Sequence, residues 1–262
     1  MTLAATAVDV AGIRLTPLEL LLSVAVLLLG GYLKGTVGFA VGLVTISGLV
    51  QLLPPKPTVI ALTIPFLASN LVVLARDGVP IEFVRGQLPF LATLTVGLFV
   101  GVAGLGVLSE EAIYLLLAVY IGGFLVFQRY DRLVDGYTES RASGPIAGAL
   151  AGLLGGIVGA PGPPMVTHAY LNTIGESKKL FVTATSTLFL AAHVIRLGFL
   201  YAGDLLHVRE LTLGVLFSIP IFAGVLVGIA SRSYVDSDTF ERAVQLLLVL
   251  IGLNLLRNGL GL

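Results

Sequence analysis

An all-α, polytopic membrane protein of two inverted repeats, each a broken, re-entrant helical segment plus three transmembrane helices, is what this sequence predicts. Three observations carry that reading. The chain is 56% hydrophobic and only 11% charged, with a mean hydropathy of +1.02, whereas a soluble domain is about a quarter charged. Several apolar runs approach the roughly 20 residues that cross a hydrocarbon core. Finally, each half opens with a glycine-broken apolar stretch. The first runs Gly30-Gly31-Tyr32-Leu33-Lys34-Gly35-Thr36-Val37-Gly38-Phe39-Ala40-Val41-Gly42, and the second runs Gly155-Gly156-Ile157-Val158-Gly159-Ala160-Pro161-Gly162-Pro163-Pro164. Backbone interrupted at membrane depth must be buried in protein or line a polar cavity, because lipid offers its freed N–H and C=O groups no water. Paired interruptions in matching halves point to a transporter's binding site.

Taken in order, Asp9 and Arg14 precede the first apolar run, Leu18 to Leu29. No positive n-region or small-residue cleavage site accompanies it, so it reads as a retained membrane helix rather than a signal peptide. After the glycine stretch comes Ala40 to Leu53, closed by Pro54-Pro55-Lys56-Pro57. Thr58 to Leu74 ends at Arg76-Asp77-Gly78, and Leu88 to Leu108 at Ser109-Glu110-Glu111. Ala112 to Phe127 completes repeat 1, residues 17–128. The long polar segment Gln128 to Ser143 divides the halves, with residues 129–144 read as a central cytoplasmic loop. Repeat 2, residues 145–257, runs Pro145 to Val158, breaks at Pro161-Gly162-Pro163-Pro164, and resumes from Met165 to Ile174. Lys178-Lys179 then introduce Leu180 to Leu200, followed by Leu211 to Ala230 and Ala243 to Leu256. Glycines such as Gly97, Gly101 and Gly104 read as close-packing positions between membrane helices. Tryptophan is absent, so an aromatic belt must come from tyrosines such as Tyr130, Tyr137, Tyr201 and Tyr234.

The halves align in order along their length, which makes the repeat part of the fold expectation. Phe66-Leu67-Ala68-Ser69-Asn70-Leu71 matches Phe189-Leu190-Ala191-Ala192-His193-Val194 at an offset of 193 − 70 = 123. Gly35-Thr36-Val37-Gly38 matches Gly159-Ala160-Pro161-Gly162 at 159 − 35 = 124, and Phe99-Val100-Gly101 matches Leu226-Val227-Gly228 at 228 − 101 = 127. Residues 145–174 are too few to cross twice, which leaves one kinked crossing or a hairpin. Basic residues favour the cytoplasmic side. With Arg129, Arg132 and Arg141 inside, Arg76 and Arg85 are also inside and Glu110-Glu111 outside. A hairpin returns Lys178-Lys179 and the Arg232 to Arg242 loop inside, whereas a single crossing sends them out. Charge therefore favours hairpins in a multi-pass protein of a bacterial or archaeal plasma membrane.

Apart from Glu19 at the very start of the first run, no Asp or Glu falls inside an apolar run, which argues against a carboxylate-based cation or proton path. The polar residues at depth are Lys34, Asn70, His168, His193 and Arg196, with hydroxyls at Thr36, Thr45 and Thr167. Donors, fixed cations and half-helix N-termini together suit a small anion. Each has a blander reading. Lys34 and Arg196 lie near run ends and can snorkel, and His168 can bond a backbone carbonyl in a kink. His193 and Asn70 occupy matching places in the two halves, as facing walls of one site or as a plain interhelical hydrogen bond. Arg196 follows His193 on the same helical face.

Other classes find little support. The absence of cysteine removes disulfides and thiolate metal sites, and balanced charge gives no sign of nucleic acid. No His-Glu-x-x-His, Gly-x-Ser-x-Gly or phosphate-cradling motif occurs. An enzyme, a metal and a cofactor are therefore not expected. A channel, a carboxylate carrier or a membrane scaffold stays open, although Gln128 to Ser143 is short for a scaffold's partner-binding loop.

At the two broken stretches the chain resembles the sulfite exporter TauE/SafE family of membrane permeases, over residues 17 to 257. The Gly-x-Pro-Gly-Pro-Pro form of the second motif is the more specific, and the Gly-Phe form of the first resembles one branch of the family. Ala40-Val41 stand where many members carry further glycine. The resemblance implies transport, usually export, of sulfite, sulfoacetate or a related sulfur-containing or carboxylate anion. On this reading backbone N–H groups near Gly38-Phe39 and Gly162-Pro163 cradle the anion, with Gly35, Thr36 and Gly159 in the same two motifs. Asn70 and His193 line the walls, Lys34 and Arg196 supply charge, and His193 is the proton-coupling candidate. The expected partners are the anion and the bilayer, with a homodimer left open.

Overall fold

The computed structural model describes residues 8–37, 41–129, 143–231 and 237–262. It is helical throughout apart from an N-terminal ribbon, which the all-helical expectation had not included. There β1 (Val8–Val10) pairs antiparallel with β2 (Ile13–Leu15). Ala11 and Gly12 turn the chain at φ of 51° and 79°, the doubly left-handed geometry that two-residue hairpins favour. Asp9 Oδ1 accepts the Gly12 N–H at 2.8 Å. Thr16 and Glu19 then form a reciprocal cap, each side chain accepting the other's backbone N–H, at 3.2 and 2.8 Å.

Twelve helices follow among the described residues. In the first half they are α1 (Pro17–Val37), α2 (Val41–Leu49), α3 (Pro55–Ala61), α4 (Thr63–Asp77), α5 (Ile81–Arg85), α6 (Leu88–Val107) and α7 (Glu110–Arg129). In the second half they are α8 (Ser143–Val158), α9 (Gly162–Leu171), α10 (Lys178–Ala202), α11 (Val208–Ser231) and α12 (Ser237–Gly259). Five spans among the described residues are long and apolar enough to cross a membrane: α1, α3 with α4, α6, α10 and α11. The outward surface suits lipid, with Leu21, Val96, Val119 and Leu226 each 64–71% exposed.

The glycine pairs themselves lie within helices, and the second break falls where the sequence placed it, between Val158 and the helix that starts at Gly162. Helix α1 passes through Gly30, Gly31 and Gly35 and is described as far as Val37, residues 38–40 lying outside the described residues; α8 passes through Gly155 and Gly156 and stops at Val158. Those glycines serve packing. A Cβ built on Gly35 would lie 2.9 Å from Gly228 Cα of α11, and one on Gly156 would lie 2.6 Å from Gly101 Cα of α6. Two glycine seams result, α1 on α11 and α6 on α8, where backbones meet without side chains between them, as small residues permit in membranes. Equivalent seam positions place Tyr32 beside Gly228 and Leu153 beside Gly101, an offset of 153 − 32 = 121. The seams thus pair at an offset three residues smaller than the 124 read between the two motifs. The true break of the second stretch is Gly159-Ala160-Pro161, with Gly159 at φ +83° and Gly162 at +65°. Pro163 and Pro164 belong to the first turn of α9, where a missing N–H is harmless.

Both broken stretches fold back on themselves. A Cβ on Gly48 of α2 would meet Val26 of α1 at 2.7 Å, and one on Gly144, at the start of α8, would meet His168 of α9 at 3.3 Å. The two tips touch, with the Cβ position of Gly42 lying 3.0 Å from Ala160 Cβ. Helix ends sort accordingly. At one end Lys56 Nζ donates to Gly106 O at 3.1 Å, and Leu205 packs by Gly106. At the other, Arg76, Lys178, Lys179 and Ile229 line one cavity, and Gly86, Ser143 and Asn172 line another. Arg132, Arg141 and Arg232 lie outside the described residues.

Candidate functional site

The site is built where α1, α4 and α10 meet beneath the touching tips. Lys34, in the last turn of α1, is 4% exposed and donates from Nζ to Asn70 Oδ1 of α4 at 2.7 Å. Asn70 is itself anchored, its Nδ2 donating to Phe66 O at 2.8 Å. An ammonium carries three donors, and this is the one hydrogen bond Lys34 makes among the described residues. Its remaining surroundings include the ring of Phe189, whose centroid lies 5.9 Å from Nζ. His193 is buried between Phe66 and Phe189, with ring centroids 5.7 and 6.2 Å away. Its Nδ1 has no hydrogen-bond partner.

Arg196 comes to the same place, but its donors are occupied. Nη2 reaches Gly156 O at 3.3 Å, Nη1 reaches Val59 O at 3.3 Å, and Nη1 also bonds the Thr63 hydroxyl. Gly156 O belongs to the last turn of α8, whose carbonyls have no helical partner, and a cation there also meets the negative end of the helix dipole. Val59 lies at the end of α3, beside Leu62, where Pro65 cannot donate to Ala61 O and the span is interrupted. Arg196 thus ties a hairpin tip to the broken crossing opposite.

Other expected members divide. Gly159 and Gly162 frame the second tip. Pro163 and Pro164 have no N–H, so Gly162 is the one residue among the first three of α9 that can donate. The Tyr120 hydroxyl lies 2.5 Å from where a Gly162 Cβ would stand, so its ring covers that end. The Thr36 hydroxyl turns back to Tyr32 O and Leu33 O at 3.0 and 3.2 Å. Gly35 faces α11 across the seam, and Gly38 and Phe39 lie outside the described residues. His168 stands apart. Its partner is the Gln87 side chain at 2.5 Å, not a backbone carbonyl, and its ring stacks on Phe90.

Thr63, Tyr120 and Gln87 were not anticipated from the sequence, because none interrupts an apolar pattern in a way that distinguishes it from packing. Among the described residues the buried charged side chains are Lys34, Arg196 and Glu210. Glu210 accepts the His207 N–H at 3.1 Å at the far end. The centre therefore holds two cationic side chains and no carboxylate.

Broken helical hairpins that meet above a buried polar cluster, among helices long and apolar enough to cross a membrane, define a polytopic helical membrane protein. The family model described as sulfite exporter TauE/SafE matches residues 23–255. The chain belongs to that family. No match is found among curated proteins or among solved structures.

Proposed function

We propose that the chain is a secondary carrier that moves a small anion, sulfite, sulfoacetate or a related organosulfur anion, out across the cell membrane by alternating access. The single observation behind this reading is the pair of buried cationic side chains, Lys34 and Arg196, with no carboxylate to balance them at the meeting point of the two tips. A buried charge without a partner is expensive, and an entering anion supplies the partner. Lys34 keeps two donors free for it, Asn70 and His193 form the walls, and Arg196 ties the second tip to the broken crossing while adding positive potential. The matched glycine seams support two inverted repeats, and with them a rocking of one repeat against the other about a fixed site. His193 is the group proposed to couple a proton, since its Nδ1 is unpartnered.

The test is uptake of labelled sulfite into proteoliposomes, with counterflow to separate a carrier from a channel. His193→Ala and Arg196→Ala are each expected to depress uptake severely. Unchanged uptake in both variants would falsify the site assignment.

A further inference from the structure

We propose that Arg76, Lys178 and Lys179 form an outer access vestibule for the anion at the basic end, a station it occupies before reaching Lys34. This rests on the anion-carrier reading above. A cavity of about 410 Å³ opens between α1, α4, α10 and α11, and its lining includes Lys34, Arg76, Asp77, Lys178, Lys179 and Val225. Four cationic side chains thus face one carboxylate. None of Arg76, Asp77, Lys178 and Lys179 makes an ion pair among the described residues, so the positive field of the cavity is not cancelled locally.

Orientation in the membrane requires basic residues only on one side. It does not require the end of α4 and the start of α10, 178 − 77 = 101 residues apart, to bring them into one cavity. Nor does it explain why the cavity reaches the buried lysine that also bonds Asn70. Apolar walls such as Val73 and Val225 lower the local dielectric and focus the field, which raises the local concentration of an anion and its on-rate by about 10–1000-fold. The vestibule captures the anion in solution, and Lys34 receives it at the inner end.

The experiment measures sulfite transport in oriented proteoliposomes by wild type and by the triple variant Arg76→Gln, Lys178→Gln, Lys179→Gln, at low and high ionic strength. At low salt KM for sulfite offered at the basic end is expected to rise about tenfold, with the maximal rate and KM from the opposite end unchanged. The difference shrinks at high salt, because exposed charges are screened beyond about 10 Å at 0.1 M. Lys56→Gln, at the opposite end, is the control and leaves the basic-end KM unaltered. An equal effect from both ends, or one indifferent to salt, overturns the proposal.

A second measurement uses the unaltered protein: acylation of Lys178 and Lys179 by a membrane-impermeant amine reagent, with and without sulfite. Protection supports the vestibule, and its absence overturns it. Protection without any wild-type transport would leave the vestibule standing and remove the carrier reading.

Discussion

Replacing Lys34 by methionine separates a binding cation from a structural one. The Lys34 Nζ sits 2.7 Å from Asn70 Oδ1 and is 4% exposed, so an anion at similar distance is attracted in a medium far less polarisable than water. At an effective dielectric near 20 and 4 Å separation the attraction is about 4 kcal/mol. Some of that is lost to desolvating the anion; if about 2.8 kcal/mol survives, Kd rises about 100-fold in the variant. The assay is thermal unfolding of purified protein with sulfite at about 100 times the wild-type Kd. Wild type then gains about 2.7 kcal/mol, and the variant, with its Kd equal to the ligand concentration, gains about 0.4 kcal/mol. At roughly 2–4 °C per kcal/mol for a chain of this size, the ligand shift falls from about 5–11 °C to about 1 °C. The ligand-free protein should change little. Loss of the bond leaves Asn70 Oδ1 without its donor, worth about 1–3 kcal/mol, while removal of a poorly compensated buried charge acts in the opposite direction. A variant that keeps the full sulfite shift, or that unfolds without ligand, would refute a binding role for this lysine.

Three further outcomes follow from the packing. Gly156→Leu should lose about 1–3 kcal/mol by overpacking, because even its Cβ would meet Gly101 Cα at 2.6 Å, whereas Gly122→Ala, with nothing within 4 Å, should leave the unfolding temperature unmoved. Gly159→Ala places a side chain at φ +83°, a strain of about 1–2 kcal/mol, read as a lower unfolding temperature and faster proteolysis at the second tip. Arg196→Met strips donors from Gly156 O and Val59 O, so it should destabilise by about 1–3 kcal/mol per unpaired group; Arg196→Lys, which can serve one carbonyl, should recover part of that in the same melt.

Much of the architecture was legible because lipid imposes it. Apolar runs separated by charged turns place the crossings, and the shortness of residues 145–174 with the basic Lys178-Lys179 after them pointed to a hairpin. The end of the second half-helix at Val158 was legible, but the role of the glycine pairs before each break was not. Gly30-Gly31 and Gly155-Gly156 look like helix breakers in isolation, yet a glycine facing another helix's backbone is a contact, and no local pattern reveals which surface it faces. Lys34, Asn70, His193 and Arg196 were picked out as polar residues at depth, but their separate roles were not. The cations of the vestibule were read only as orientation signals.

What the chain alone determined is its solvent, because exposed peptide groups cannot exist in hydrocarbon and each span must be long enough to satisfy its own; the described residues hold five such spans where three per half were expected. It also marked the two motifs at which helices stop. Only the tertiary structure decided which carbonyls are left open at those stops and which donor reaches them. Arg196 is drawn to Gly156 O and Val59 O, lying 40 and 137 residues away in sequence, while Lys34, with Asn70 as its partner, keeps donors to spare. The division between the cation that ties the second tip to the broken crossing and the cation that keeps donors free is thus set by which carbonyls the fold brings within reach of each.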